Sequence, residues 1–449
     1  MKQLAVASTF YQCVSLAAAV DAAALPAVDG ERVLVLANSA QAPELGVRLQ
    51  DQQGFDHVRR RFDRIIDLAA LVYPRRPQQF SPRSEDLTAW HNVLRTAWDL
   101  GGEPVQLVMD SVQVNPSLAL AQIFFDAALY AHADGLMVYA PTRSALPASI
   151  EQRLAGLVYV DLVPGLRPAL LTEHGINQVP IPPAAVREVI DGISAPGGPS
   201  TSPSAASGRR SALILGQYLP SLGLLSRQEE LHLHGAILAE AASRGFRHCV
   251  FKPHPSAPPA AWQMLLNRAA ELGVTVELDR SPSIAEVATR QLKPDLVLSC
   301  FSTGLATARY LFGLSSVAVG TEDLLAKLAP YENSNRIPVV LADALFSEGF
   351  HAPADQPPGI AATRDLQALV HAVAYCMQPV RLARHADTAR QYLTAVTCTD
   401  PLPLKYFKRR RLTALQLPGG LPPRSARRRL SRVWGASTRT DGSQSGIRR

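Results

Sequence analysis

The chain has 449 residues, of which 47% are apolar and 18% charged, enough for more than one buried core at about 100–200 residues per domain. No run approaches the ~20 uninterrupted apolar residues that a membrane-spanning helix requires. The formal net charge of +7 is unevenly placed: from Lys405 to Arg449 there are 13 Lys and Arg against the single Asp441, which leaves residues 1–404 at −5. A mildly acidic body argues against nucleic acid as the partner.

In chain order, Lys2 followed by apolar residues superficially resembles a leader peptide. Ser8, Thr9, Tyr11 and Gln12 interrupt the run where such a segment should be purest, so a strand passing into a helix is expected instead. The pattern predicts a strand over residues 4–8 and a helix over 14–20. Further strands are expected over 32–37, 65–68, 105–109 and 136–139, with a helix over 86–100. The segment 194–210 (SAPGGPSTSPSAASGRR) offers Pro, Gly and Ser with nothing to bury, and reads as a linker. The alternation then restarts. Strands are expected over 211–216, 248–252, 274–278, 295–299 and 315–319, and helices over 228–243, opened by Ser226, and over 260–272.

Strands alternating with helices on both sides of a linker predict an α/β protein with parallel, doubly wound sheets. The expected layout is two Rossmann-like domains facing across a cleft, the GT-B arrangement, with boundaries at 1–193, 194–210, 211–404 and a basic tail over 405–449. That layout is shared by many enzymes and names no reaction. Cys13, Cys249, Cys300, Cys376 and Cys398 form neither a disulfide framework nor a zinc spacing, which points to a reducing, cytoplasmic compartment. No metal-ligand spacing is present; His232 and His234 are two apart in a helical run and point to different sides.

Four constellations carry chemistry. Phe251-Lys252-Pro253-His254-Pro255 follows a strand, so His254 stands at the carboxyl edge of a sheet, where α/β proteins bind ligands, with Lys252 adding charge nearby. It reads either as a turn histidine or as a donor to a phosphate. Ser302-Thr303-Gly304 follows the strand DLVLS and opens a helix of small residues. Ser302 serves as an N-cap, and the same helix start suits phosphate binding. Asp134 in Ala133-Asp134-Gly135 and Glu173 in Thr172-Glu173-His174-Gly175 are carboxylates on expected turns, the second at the end of the apolar, strand-like run Pro168–Leu171. Each is either a solvated turn residue or a base facing the cleft.

On these motifs the sequence resembles the bacterial alpha-2,8-polysialyltransferase family and the related capsule and lipooligosaccharide sialyltransferases. The family carries an acid-acid-Gly motif in its first half, then a His-Pro motif and a paired-hydroxyl motif. Phe251–Pro255 matches the second and Ser302-Thr303 the third. Ala133-Asp134-Gly135 lacks the first acid, whereas Glu173-His174-Gly175 lacks the second. Tyr139, four residues past Gly135, favours Asp134 as the equivalent. The resemblance implies an inverting, metal-independent glycosyltransferase that needs no cofactor and takes a CMP-activated sugar, typically sialic acid, to a glycan or glycolipid acceptor. It assigns Asp134 or Glu173 as base, with His254, Lys252, Pro255, Ser302, Thr303 and Gly304 around the donor phosphate. The rivals are a transferase or epimerase of the same architecture using another nucleotide sugar, and a non-catalytic glycan-binding relative. The tail interleaves basic residues with Tyr406, Phe407, Leu430, Val433 and Trp434. It reads as a solvated extension or as peripheral attachment to an anionic inner leaflet, with nucleic acid less favoured.

Overall fold

The computed structural model describes residues 1–38, 47–194, 210–254, 257, 262–347, 360–399 and 402–422. Its first sheet contains β1 (Lys2–Ala7), β2 (Arg32–Leu36), β3 (Arg64–Asp67), β4 (Val105–Met109), β5 (Ala128–Ala133), β6 (Leu154–Val160) and β7 (Asn177–Ile181). They lie in the order β3-β2-β1-β4-β5-β6-β7, and all pairs are parallel. The central strands are apolar on both faces because helices cover both: Leu4, Val6, Leu34, Leu107 and Val108 are all fully buried.

The second sheet contains β8 (Ala212–Leu215), β9 (His248–Lys252), β10 (Thr275–Leu278), β11 (Leu296–Ser299) and β12 (Ser315–Ala318), in the order β10-β9-β8-β11-β12, again all parallel. Its core packs Ile214, Leu238, Cys249, Phe251 and Leu298 together. The helix Arg227–Ser243 begins at a capping box in which Ser226 Oγ accepts from Glu229 N at 3.2 Å and Glu229 Oε2 accepts from Ser226 N at 2.7 Å. The strand order reverses between β1 and β4 in one sheet and between β8 and β11 in the other. Such reversals open a crevice at the carboxyl edge.

Two sequence expectations fail in the first half. Residues 136–139 form a 3-10 turn, Leu136–Tyr139, and no strand. Leu136, Val138 and Tyr139 are buried, Met137 is exposed, and the turn packs on the helix Arg336–Phe346; Tyr139 Oη accepts from Val163 N at 3.1 Å. The strand lies just before, as β5, so Asp134 follows a strand. Pro168–Leu171 forms no strand either, and Glu173 stands in a 3-10 turn, Thr172–His174, between β6 and β7.

After the second sheet the chain returns to the first half. The helix Ile360–Met377 and the residues following it dock there through Arg167 N to Gln367 Oε1 (2.7 Å), Gln378 Nε2 to Arg143 O (3.2 Å) and Arg381 Nη1 to Thr142 O (3.2 Å). Ala374 and Leu382 pack with Ala169. Contacts separate a unit Met1–Tyr392 from a second, Leu393–Arg449.

In the second unit, the basic run expected as a solvated or surface-lying tail is in part folded. Leu402–Tyr406 is a 3-10 turn and Arg409–Ala414 a helix, with Tyr406, Phe407 and Leu412 buried. Those two aromatic rings are consumed by packing and are not offered to a surface. Most of the linker expected over 194–210, and residues 423–449 with Leu430, Val433 and Trp434, lie outside the described residues. Among the described residues, no helix is long and apolar enough to cross a membrane. Ser226→Ala removes half of the capping box; it should lower stability by about 1 kcal/mol, read as a lower urea midpoint with unchanged slope.

Candidate active site

The carboxyl edges of the two sheets meet. Gly135, one residue past Asp134, lies against Thr303, the first residue of the helix Thr303–Phe312 that follows β11. Leu136 N donates to Thr303 Oγ1 at 3.5 Å. A Cβ placed on Gly135 would stand 3.1 Å from the same oxygen, tighter than ordinary contact. The glycine of the acidic motif therefore permits the approach of the hydroxyl motif.

On the second-half wall, Ser302 caps the helix: its Oγ accepts from Gly304 N at 3.1 Å. Gly304 is buried under Leu215, whose Cδ1 would lie 2.4 Å from a Cβ there. The preceding turn is pinned by Gln217, whose Oε1 accepts from Phe301 N at 2.9 Å and Ser299 Oγ at 3.3 Å. Gly216 N donates to Lys252 O at 2.9 Å, which joins the ends of β8 and β9. His254 and Ser302 thus leave the same sheet edge on strands flanking β8, about 10 Å apart at two strand spacings. The His254 residue keeps much of its surface in solvent, yet protein packed around its ring lowers the imidazole pKa by desolvation. Pro255 lies outside the described residues.

Lys252 does not reach out as a free cation. It is buried, and its ammonium pairs with Asp279 Oδ2 at 2.9 Å and donates to Ser281 at 3.3 Å. Burial pushes the Asp279 carboxyl up, but Lys252 and the Ser281 hydrogen bonds outweigh it, and the net shift is downward. Glu173 has one oxygen beside His174, and its Oε2 is buried without a hydrogen-bond partner among the described residues. Its Oε1 lies 3.7 Å from His174 Nε2, and His174 Nδ1 lies 2.9 Å from Glu151 Oε1. The structure brings the turn that follows Asp134 against Thr303, while Glu173 stands in a separate turn of the first half.

Three residues near Asp134 escaped the sequence reading. Burial, reinforced by the Asp110 charge, lifts the Asp134 carboxyl to about 6. Glu286, on the helix Ala285–Leu292 between β10 and β11, is buried and lifted to about 7, first by desolvation and then by Asp134, with Lys252 opposing. Tyr11, at the start of the helix Phe10–Asp21, has its phenol pushed well up by burial and by the charges of Glu286 and Asp134. Asp110, ending β4, accepts from Ser117 Oγ at 2.6 Å. The signal for Asp110 was available, as an acid closing an apolar run in an expected parallel sheet. Glu286 was disguised by Ser283 three residues before it, which reads as a helix cap. Among the described residues, no three His, Cys, Asp or Glu side chains are grouped to hold a metal ion.

Residues 3–321 match the family model described as Alpha-2,8-polysialyltransferase (POLYST). The chain belongs to the alpha-2,8-polysialyltransferase family. It is a glycosyltransferase, an enzyme that uses a nucleotide-sugar donor and a glycan acceptor. No curated protein sequence matches it. Solved structures similar to this polysialyltransferase-family chain include the alpha/beta-galactoside alpha-2,3-sialyltransferase of Photobacterium phosphoreum, at 12% identity and TM-score 0.41, covering 76% of this chain and 95% of that one. The UDP-N-acetylglucosamine 2-epimerase of Rickettsia bellii matches at 13% identity and TM-score 0.40, covering 90% and 99%. A UDP-glucosyltransferase of Polygonum tinctorium matches at 10% identity and TM-score 0.41, covering 92% and 98%. So little shared sequence carries no residue's role across.

Two carboxyls held above their ordinary range favour the protonated folded state. They therefore cost stability as pH rises through about 6 and about 7. Asp134→Asn and Glu286→Gln should each raise the thermal midpoint by a few degrees at pH 8. The gain should shrink toward pH 5, as scanning calorimetry at the two pH values would show.

Proposed function

We propose that the enzyme transfers sialic acid, or a closely related sugar, from a CMP-activated donor to a glycan hydroxyl with inversion at the anomeric carbon and without a metal. The observation that carries this reading is the pairing of Asp134 on one wall with the Thr303 helix start on the other. One wall offers a base; the other offers a phosphate grip.

The acceptor hydroxyl gives its proton to the Asp134 carboxylate. Its oxygen forms the new bond to the anomeric carbon from the face opposite the leaving group, which accounts for inversion. The bond between that carbon and the phosphate oxygen breaks, and CMP leaves with the electron pair. The departing charge is met by the N–H groups at the head of Thr303–Phe312, by the Thr303 hydroxyl and by His254. With its pKa lowered, His254 is neutral near pH 7 and acts there as a hydrogen-bond donor to the phosphate. A single phosphate needs less countercharge than a diphosphate, which supports metal independence. Lys252, buried on Asp279, acts on the site only through its field.

An Asp134 base at about 6 is largely ionised at neutral pH while still basic enough to accept a proton. Transfer should rise through about pH 6 and level off above it, and Asp134→Asn should abolish that limb along with activity. Purified enzyme given CMP-sialic acid and a sialylated acceptor should release CMP, and His254→Ala should lower the rate by roughly tenfold or more. Equal rates in the two proteins would overturn the phosphate assignment. A thermal-shift series with CMP, UMP, UDP and GDP separates donors, since the nucleotide that is bound stabilises by mass action; CMP is expected to give the largest shift.

A further inference from the structure

The fold makes no use of the Tyr11 hydroxyl. The oxygen is out of water and has no hydrogen-bond partner among the described residues. A buried hydroxyl left unpaired costs stability. Tyr139 of the same half shows the ordinary alternative, with Val163 N bonded to its phenol oxygen at 3.1 Å.

The position of Tyr11 follows from a fixed contact lower on the same wall. Ser15 Oγ lies 3.1 Å from His132 Nε2, so the helix Phe10–Asp21 meets β5 at that level. Tyr11 is four residues before Ser15, on the same helix face and about 6 Å nearer the sheet edge. Asp134 is two residues past His132, on the same side of the chain and about 6.6 Å nearer the same edge. Both residues thus stand toward the carboxyl edge of the first sheet, and the Asp134 charge reaches the phenol. The charge of Glu286 reaches it too, yet neither carboxylate bonds to it. The phenolic proton is therefore not taken up by either carboxylate.

We infer that Tyr11 contacts the substrate, its phenolic O–H holding the reacting hydroxyl of the acceptor sugar against Asp134. The inference rests on the transferase reading above. A sugar hydroxyl has one proton to give and two lone pairs. Asp134 takes the proton and Tyr11 donates to one lone pair, leaving the other directed at the anomeric carbon. Tyr11 keeps its own proton throughout and orients the nucleophile without itself exchanging anything. Its place on the first-half wall, across from the phosphate grip, assigns it to the acceptor.

The test is Tyr11→Phe in the full chain, which keeps the ring and deletes the hydroxyl. Three quantities are read: transfer kinetics with donor and acceptor varied separately, CMP release from CMP-sialic acid without acceptor, and the thermal midpoint. We expect kcat/KM for the acceptor to fall roughly tenfold or more, with donor KM and acceptor-free CMP release unchanged. The thermal midpoint should equal or exceed that of the unmodified enzyme, because the deleted hydroxyl was unpaired. Unchanged acceptor kinetics would overturn the inference. So would a loss shared equally by the donor, or one accompanied by a fall in thermal midpoint. If the unmodified enzyme releases no CMP at all, the donor reading itself fails and this inference falls with it.

Discussion

The close approach of Thr303 to the Gly135–Leu136 peptide is the constraint on which the site depends. Each sheet alone ends in an ordinary row of turns. Only when the two carboxyl edges touch does the turn after the Asp134 carboxyl come to stand against a helix start. Glycine at 135 allows that contact, and the following turn, Leu136–Tyr139, is wedged in place by the helix Arg336–Phe346. The geometry of the acid is thus set by residues 200 positions further along the chain as much as by its own strand.

Electrostatics in the crevice run against stability. Asp134, Glu286 and Asp110 gather carboxyl groups in a region poor in water. The buried cation close to them, Lys252, is held by Asp279 and only softens the field at Glu286. A protein selected for stability alone would fill such a place with apolar side chains. Carboxyls raised by burial and gathered in a crevice are the kind of group that clusters at functional sites.

Much of this was legible in the sequence, and the gaps have physical causes. β1, β4, β8, β9 and β11 are covered on both faces, so their apolar runs announced them. The His-Pro and hydroxyl motifs at strand ends followed directly. β5 was hidden because ALYAHA alternates weakly and is rich in alanine, whereas Leu136–Tyr139 looked like a strand because a helix from the other half buries it. β7 carries Asn177, Gln178 and Pro180 on the sheet's edge, where polar residues and proline are tolerated. Tyr139 favoured Asp134 over Glu173 only through the resemblance; that the Gly135 turn is the one meeting the second sheet is a tertiary fact no local pattern contains. Tyr11 and Glu286 were invisible for the same reason, since each gains meaning only from neighbours more than a hundred residues away.

The docking of Gln367 onto Arg167, 200 residues earlier, bears on how the protein is made. The N-terminal sheet leaves the ribosome first, but part of its wall, Ala374 and Leu382 against Ala169, is translated about 200 residues after Ala169. Until then Ala169 and the carbonyls of Thr142 and Arg143 lack these partners. Nascent chains stalled near residue 350 should accordingly depend on chaperones, while those released past residue 390 should not.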